Sequence, residues 1–240
     1  MTYVTSDLHG YPLDAFLRHL GSVRFSSTDE LYILGDVIDR NGDGGIAMLQ
    51  WCRKQPNVHL LRGNHEDLLL SCRFLFSDIA DENIEKLTTN QLLCLTNWEM
   101  NGATPTINSL KKLYHEDRGD FLDLWDYIED APLYDILRLD RRRPYILVHS
   151  GIGNYSHDKD LPDYSEDDLL WFRPTMNTSF YPEAKVILGH TPTSYIDPVY
   201  KGRMINTPTW IDIDTGAAGG GHPMLLRLDD EQPFYINPYN

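Results

Sequence analysis

The sequence predicts an α/β enzyme domain, and three observations predict it. Short apolar segments alternate with amphipathic ones from the first residues onward, the pattern of parallel strands joined by crossover helices. Three polar clusters follow three of those strands at nearly equal intervals, 29 residues from Asp7 to Asp36 and 28 from Asp36 to Asn64. One strand–helix crossover has about that length. The chain has 240 residues, 41% of them hydrophobic, which is enough for a sizeable core in a single domain spanning 1–240.

Taken in order, residues 2–6 read as a strand, 12–20 as a helix and 31–34 as a short buried strand. Helical periodicity returns over 45–54, and 58–61 is a third strand. The strands lead into Asp7-Leu-His9-Gly10, Gly35-Asp36-Val-Ile-Asp39-Arg40 and Gly63-Asn64-His65-Glu66. Parallel strands bring their carboxyl ends to one edge, where α/β sheets bind ligands, so the three clusters are expected to converge. Residues 66–130 lack strand patterning and read as helices over 67–76, 84–98, 107–113 and 120–129. This region is expected to be a helical cap inserted between two halves of one sheet system. The second half turns β-rich, with strands at 133–139, 144–149, 185–189, 210–214 and 223–228, and a tight loop over 216–221.

A formal charge of −15 argues against nucleic acid or anionic lipid as a partner. It also means that an anionic substrate needs local positive charge. No stretch approaches the roughly 18 apolar residues of a membrane span, and Met1 to Asp7 run straight into the first strand with no room for a leader. Cys52, Cys72 and Cys94 form no Cys-x-x-Cys pair, which fits a reducing cytoplasm. Cys72 lacks the phosphate-cradling loop that a cysteine phosphatase uses, so all three read as packing residues.

The clusters hold metal-ligand chemistry. In an extended segment Asp7 and His9 point to the same side and can grip one ion, although a lone Asp-x-His is usually a solvated loop. Asp36 supplies the carboxylate that can lend oxygen to two cations, and Asn64 a neutral carbonyl oxygen. His149 and His190 both close apolar strands. One such histidine is more often a hydrogen-bonded core residue, but two of them, beside three strand ends carrying acids and an amide, favour ligation. Mixed oxygen and nitrogen donors suit manganese, iron or zinc better than calcium or magnesium.

Asp7-x-His9-Gly10, Gly35-Asp36-Val-Ile-Asp39-Arg40, Leu61-Arg62-Gly63-Asn64-His65-Glu66, His149-Ser-Gly151 and Gly189-His190-Thr191 resemble, in order, the motifs of the phosphoprotein phosphatases. These belong to the calcineurin-like metallophosphoesterase superfamily. Asp212-Ile-Asp214-Thr215-Gly216-Ala217 resembles the end of their bacterial and phage members. The resemblance implies a sandwich of two mixed β-sheets flanked by helices, and two divalent metal ions, with manganese expected. It implies that Asp7, His9 and Asp36 hold one metal while Asp36, Asn64, His149 and His190 hold the other. A hydroxide bridging the two would attack phosphorus, with His65 as the general acid oriented by Asp39. Arg40, Arg173 and Asn64 are expected around the phosphoryl group. Arg173 sits in a less rigid motif, with a surface arginine near the Pro174 turn as the alternative, whereas Arg62 reads as structural.

There are departures. The family usually has glycine after Asp39-Arg40, where this chain has Asn41. Asparagine tolerates positive φ, so the turn is expected to survive. The stretch from Trp98 to Thr104 matches bacterial phosphatases only weakly, with Asn101 read as a turn residue. The resemblance implies a phosphoserine/phosphothreonine protein phosphatase acting on phosphoproteins or small phosphoesters. A dinucleoside polyphosphate hydrolase shares nearly all the metal motifs, but its bacterial symmetrical form typically carries alanine at the position of Asp39. A non-catalytic scaffold of the same fold would have lost ligands or His65, and all are present.

Overall fold

The computed structural model describes residues 1–76, 87–139 and 143–236. Two five-stranded mixed sheets stack face to face. The first carries β1 (Thr2–Thr5), β2 (Glu30–Ile33), β3 (Val58–Leu60), β9 (Met224–Arg227) and β10 (Gln232–Tyr235) in the order β10-β9-β1-β2-β3. Its three N-terminal strands run parallel, and β9 lies antiparallel to β1. The second carries β4 (Tyr134–Leu137), β5 (Tyr145–Val148), β6 (Lys185–Leu188), β7 (Ile205–Asn206) and β8 (Trp210–Asp212) in the order β4-β5-β6-β8-β7. There β5, β6 and β8 run parallel, with antiparallel strands at both edges.

Period-two alternation explains the stacking. Val4, Leu147, Ile187, Ile211 and Leu226 meet in one cluster between the sheets. Their strand neighbours Ile146, Val148, Val186 and Trp210 point to the far side of the second sheet, onto Leu169 and Phe180. Tyr3, Leu31, Ile33 and Leu225 point to the far side of the first. A fully buried aliphatic side chain of this kind contributes roughly 1.5–3 kcal/mol of transfer free energy. Sheets with both faces covered need such near-continuous apolar strands.

The outer face of the first sheet is covered by helices. In α1 (Leu13–Ser22) the buried residues Phe16, His19 and Leu20 recur at i, i+3 and i+4, one stripe of an amphipathic helix. α2 (Ile46–Arg53) makes the second crossover, between β2 and β3, and α3 (Asn64–Ser71) follows β3. α4 (Thr89–Met100), α5 (Thr104–Glu116) and α6 (Arg118–Glu129) extend the same layer, with Trp98, Leu110, Leu124 and Trp125 buried in its core. The helix expected over 84–98 thus runs from Thr89 to Met100; its first predicted residues lie outside the described ones. Cys52 and Cys72 are buried in this core with Cys94 packed against it, and burial pushes the Cys72 thiol up to about 12. They are packing residues, as expected.

Two local readings are corrected. β1 ends at Thr5, and Asp7 and His9 have φ of 53° and 42°, so a tight turn rather than a strand pleat brings them together. Amide bonds from Asp7 and His9 to the carbonyls of Gly35 and Asp36 lock that turn. Asn41 is not among the left-handed residues. Asp39 and Arg40 take φ of 74° and 69° instead, while the Asn41 side chain donates to the His9 carbonyl at 3.0 Å.

Candidate active site

Every polar loop named above lies at the carboxyl end of a parallel strand. β1, β2 and β3 deliver Asp7/His9, Asp36 and Asn64/His65; β5 and β6 deliver His149 and His190. Because the sheets are stacked, the two sets face each other, and hydrogen bonds stitch them together. His149 Nδ1 lies 2.7 Å from the Leu34 carbonyl, and the His190 amide donates to Asp7 Oδ2 at 2.9 Å. Glycine permits the closest approaches: a Cβ on Gly63 would strike Asp36, and one on Gly189 would strike Asp7.

The lone pairs decide what belongs in the middle. Nδ1 of His149 can only donate to the Leu34 carbonyl, and Nδ1 of His9 to the Ile38 carbonyl at 3.0 Å, which leaves Nε2 of each ring bare. The bare Nε2 of His149 faces Asn64 Oδ1 at 2.8 Å and Asp36 Oδ1 at 3.4 Å. That of His9 faces Asp36 Oδ2 at 3.5 Å and Asp7 Oδ1 at 3.9 Å. His190 Nδ1 lies 2.8 Å from Asn64 Oδ1, and its Nε2 is buried without a partner. Acceptors that face acceptors in a buried site are reconciled by a cation, and backbone-anchored imidazoles are how proteins orient metal ligands. Burial, with Asp7 and Glu66 nearby, pushes the Asp36 carboxyl well up. Burial, with His65 and Arg40 nearby, pushes the His9 imidazole well down. These residues therefore fit divalent metal: a dication restores the carboxylates' charge and takes the imidazoles neutral.

Two overlapping clusters can each hold an ion, His9–Asp36–His65 and Asp36–His149–His190, with Asp36 common to both. The first cluster includes His65, whose Nε2 stands 3.8 Å from Asp36 Oδ2, while Asp7 turns both oxygens onto the His190 amide.

Asn64 and His65 are the first two residues of α3, so the two side chains diverge. Its Nδ1 lies 2.6 Å from Asp39 Oδ2, and its Nε2 lies 3.2 Å from Arg40 Nη2. The arginine must donate, so this ring is neutral with its proton on Nδ1. Burial, then Arg40 and His149, hold its pKa well below the usual histidine range. Asp39 is 0% exposed. Burial raises it to about 7 against the pull of Thr106, Trp98 and Arg40.

A cleft of about 510 Å³ opens above these groups, lined by Arg40, Asn64, His65 and Arg173 and by the exposed Tyr195 and Lys201. Arg173, beyond α7 (Glu166–Leu170), is exposed into this cleft and held by Thr191 Oγ1 at 3.3 Å. Arg62 points elsewhere, to the Glu129 carbonyl and Glu166. Asn101 lines the cleft as well as ending α4.

Three residues escaped the reading of the sequence. Glu66 is fully buried and accepts from the amides of Asp36 (2.8 Å), Gly63 (2.9 Å) and Val37 (2.9 Å), clamping two loops at once. Its signal was legible in principle: a glutamate at the third position of a helix can reach back to the N-cap amide, the half of a capping box that a glycine N-cap still allows. Trp98 and Thr106 both donate to Asp39, and nothing in a helical periodicity marks them.

The profile of the calcineurin-like phosphoesterases matches residues 2–212. A symmetrical bis(5'-nucleosyl)-tetraphosphatase of Nitrosomonas europaea is 22% identical over 98% of this chain and 97% of its own length. The fold is also similar to that of a candidate diadenosine tetraphosphatase (TM-score 0.61, 14% identity, covering 98% of this chain and 92% of the other). It is similar as well to that of a serine/threonine phosphatase of Saccharomyces cerevisiae (TM-score 0.55, 16% identity, covering 100% and 81%). With the family's profile spanning most of the chain, this protein belongs to the calcineurin-like phosphoesterases and is a metal-dependent hydrolase.

Proposed function

We propose that the chain hydrolyses phosphate monoesters of alcohols, with phosphoserine and phosphothreonine in proteins as the substrate class. One observation carries this reading, the buried His65–Asp39 pair with its Nδ1–Oδ2 distance of 2.6 Å at the edge of the ligand cluster. A serine alkoxide is a very poor leaving group and needs a proton as it departs. An imidazole whose Nδ1–H is fixed by a carboxylate offers that proton from Nε2, and the carboxylate stabilises the imidazolium. Arg40 lies on the same nitrogen in this structure. A phosphoryl group that draws the guanidinium onto its own oxygens frees Nε2 to take up a proton from solvent, which it then gives to the departing alkoxide. Arg173 approaches from the opposite strand system and completes a two-arginine grip. Asp7, His9, Asp36, Asn64, His149 and His190 would hold the two divalent cations. Bound there, these would offset phosphate charge and lower the pKa of water. Manganese suits the donors.

A second reading has its own support, since the Nitrosomonas relative named as a symmetrical bis(5'-nucleosyl)-tetraphosphatase aligns over nearly its whole length. A nucleoside diphosphate leaves as a stable anion and has little use for a general acid, so the Asp39–His65 pair favours the first reading. Initial rates with manganese on a phosphoserine peptide, nitrophenyl phosphate and diadenosine tetraphosphate separate the two. His65→Asn is expected to lose about 10²–10⁴-fold on the peptide and distinctly less on nitrophenyl phosphate, with both metals retained. Equal losses on the two monoesters, or a lost metal, would make His65 a ligand or a scaffold residue. A wild-type rate on the dinucleotide far above that on the peptide would overturn the substrate class.

A further inference from the structure

Asp39 is the deepest member of the pair, and its carboxylate is held from outside the loop that carries it. Trp98 Nε1, near the end of α4, donates to Oδ2 at 2.8 Å, and Thr106 Oγ1, in the first turn of α5, donates to Oδ1 at 2.5 Å. Thr106 Oγ1 also accepts from the Asp39 amide at 3.0 Å. Both donors are fully buried and lie 59 and 67 residues along the chain from Asp39. The turn between them grips the same loop, because the Arg40 amide donates to the Gly102 carbonyl at 2.9 Å. At Gly102, with φ of 97°, a Cβ would meet Arg40 Cγ at 2.8 Å.

The two donors act on different oxygens, so together they fix both the position and the plane of the carboxylate. Oδ2, the atom that receives Trp98, is also the atom that receives His65 Nδ1. Any rotation of the carboxylate that freed one donor would break the other and swing Oδ2 away from the imidazole. A carboxylate free to rotate would leave the ring without a fixed tautomer or direction, and catalytic groups held by locked neighbours keep their geometry to within fractions of an ångström.

We propose that Trp98 and Thr106 are positioning residues for proton delivery: the α4–α5 turn sets the rotamer of Asp39 and, through it, the aim of His65. The inference rests on the reading of His65 as the general acid. The pair of helices flanking the turn is then part of the acid's machinery as well as a cover for the first sheet.

The test uses the full chain loaded with manganese and compares Thr106→Val, Thr106→Ser, Trp98→Phe and His65→Asn on a phosphoserine peptide and on nitrophenyl phosphate. Thr106→Val and Trp98→Phe are each expected to lower kcat on the peptide about tenfold, a fraction of the roughly 10²–10⁴-fold that a general acid supplies. On nitrophenyl phosphate the loss stays within about twofold, since that leaving group needs little proton assistance. KM and bound manganese stay at wild-type values, and Thr106→Ser, which keeps the hydroxyl, restores most of the peptide rate. If Thr106→Val does not fold, Trp98→Phe carries the test alone, because it removes one N–H while keeping an aromatic ring. Parallel losses on both esters in these variants, while His65→Asn remains sensitive to the leaving group, overturn the positioning role and leave the acid assignment intact. Equal losses on both esters in His65→Asn itself overturn the acid assignment, and the positioning role with it.

Discussion

Glu66→Gln changes one heavy atom and meets three close backbone donors. In the wild type, Oε2 accepts from Asp36 and Gly63 at 2.8 and 2.9 Å, while Oε1 accepts from Val37 at 2.9 Å with the Ile38 amide at 3.4 Å. A glutamine keeps one acceptor, which is best placed on the Asp36 and Gly63 side. Its amide nitrogen then faces the Val37 N–H, donor against donor. The charge-assisted bond to Val37 is lost, at about 1.5–3 kcal/mol, and a buried donor is left unmade at about 1–3 kcal/mol. The expected destabilisation is therefore about 2.5–6 kcal/mol, a large part of the roughly 5–15 kcal/mol that holds a domain together. Urea unfolding with a chelator present reads it as a lower midpoint at unchanged slope. Manganese binding weakens as well, because the Asp36 backbone is one of the things Glu66 holds. An unfolding free energy within about 0.5 kcal/mol of wild type, the range of an ordinary surface substitution, with unchanged manganese affinity, would refute the clamp.

Asp36→Asn removes the one carboxylate common to both ligand clusters. Changes to groups behind metal ligands already cost about 10–100-fold, so this one is expected to cost more than about 10²-fold in activity and to lower the bound metal measured by elemental analysis. Retention of two metals would show that Asp36 is not shared. Arg40→Ala and Arg173→Ala each remove a proposed phosphate donor, one that is exposed to water. The low end of a charge-assisted bond, about 1.5 kcal/mol, then applies and gives roughly a tenfold fall in kcat/KM. Wild-type kinetics in Arg173→Ala would return that residue to the surface.

How much of this was legible depends on whether a residue's work shows in a period. The strand ends did, because a crossover repeats at about 29 residues and places Asp7, Asp36 and Asn64 at one edge. His149 and His190 followed from apolar runs that stop at a histidine. Trp98 and Thr106 act through hydrogen bonds to Asp39, 59 and 67 residues distant, and Glu66 clamps the Asp36 and Val37 amides from 30 and 29 residues away; no local pattern encodes such long-range bonds. β7, with two residues, and β10, at the edge of its sheet, were too short and too mixed in composition to stand out. The conformation of the Asp7–His9 turn was misread because the strand pleat was continued to His9, past its last ladder position at Thr5. Asn41 was given the left-handed backbone that Asp39 and Arg40 take, because residue preference alone cannot see that Gly102 and Gly44 bind those two amides.

The backbone of the site explains why so many bonds converge on it. Nine non-glycine residues among those described have positive φ, and six of them are Asp7, His9, Asp36, Asp39, Arg40 and His190. A left-handed conformation costs an ordinary residue about 1–2 kcal/mol, so six together oppose folding by an amount comparable to a domain's net stability. Such strain persists only where the surroundings over-determine it, and here they do. The amides of Asp7 and His9 are tied to the loop after β2, those of Asp39 and Arg40 to Gly44 and Gly102, and that of His190 to the Asp7 carboxylate. Glu66 holds Asp36. Sharp turns of this kind are the means by which three consecutive loops can aim carboxylates and imidazoles inward from strand ends, where an extended chain would send alternate side chains apart. The ligand geometry is thus set by hydrogen bonds between backbone and carboxylate, so the protein brings a preformed cradle to its metals. The residues that maintain it, Glu66 foremost, should matter to metal affinity as much as several of the ligands themselves.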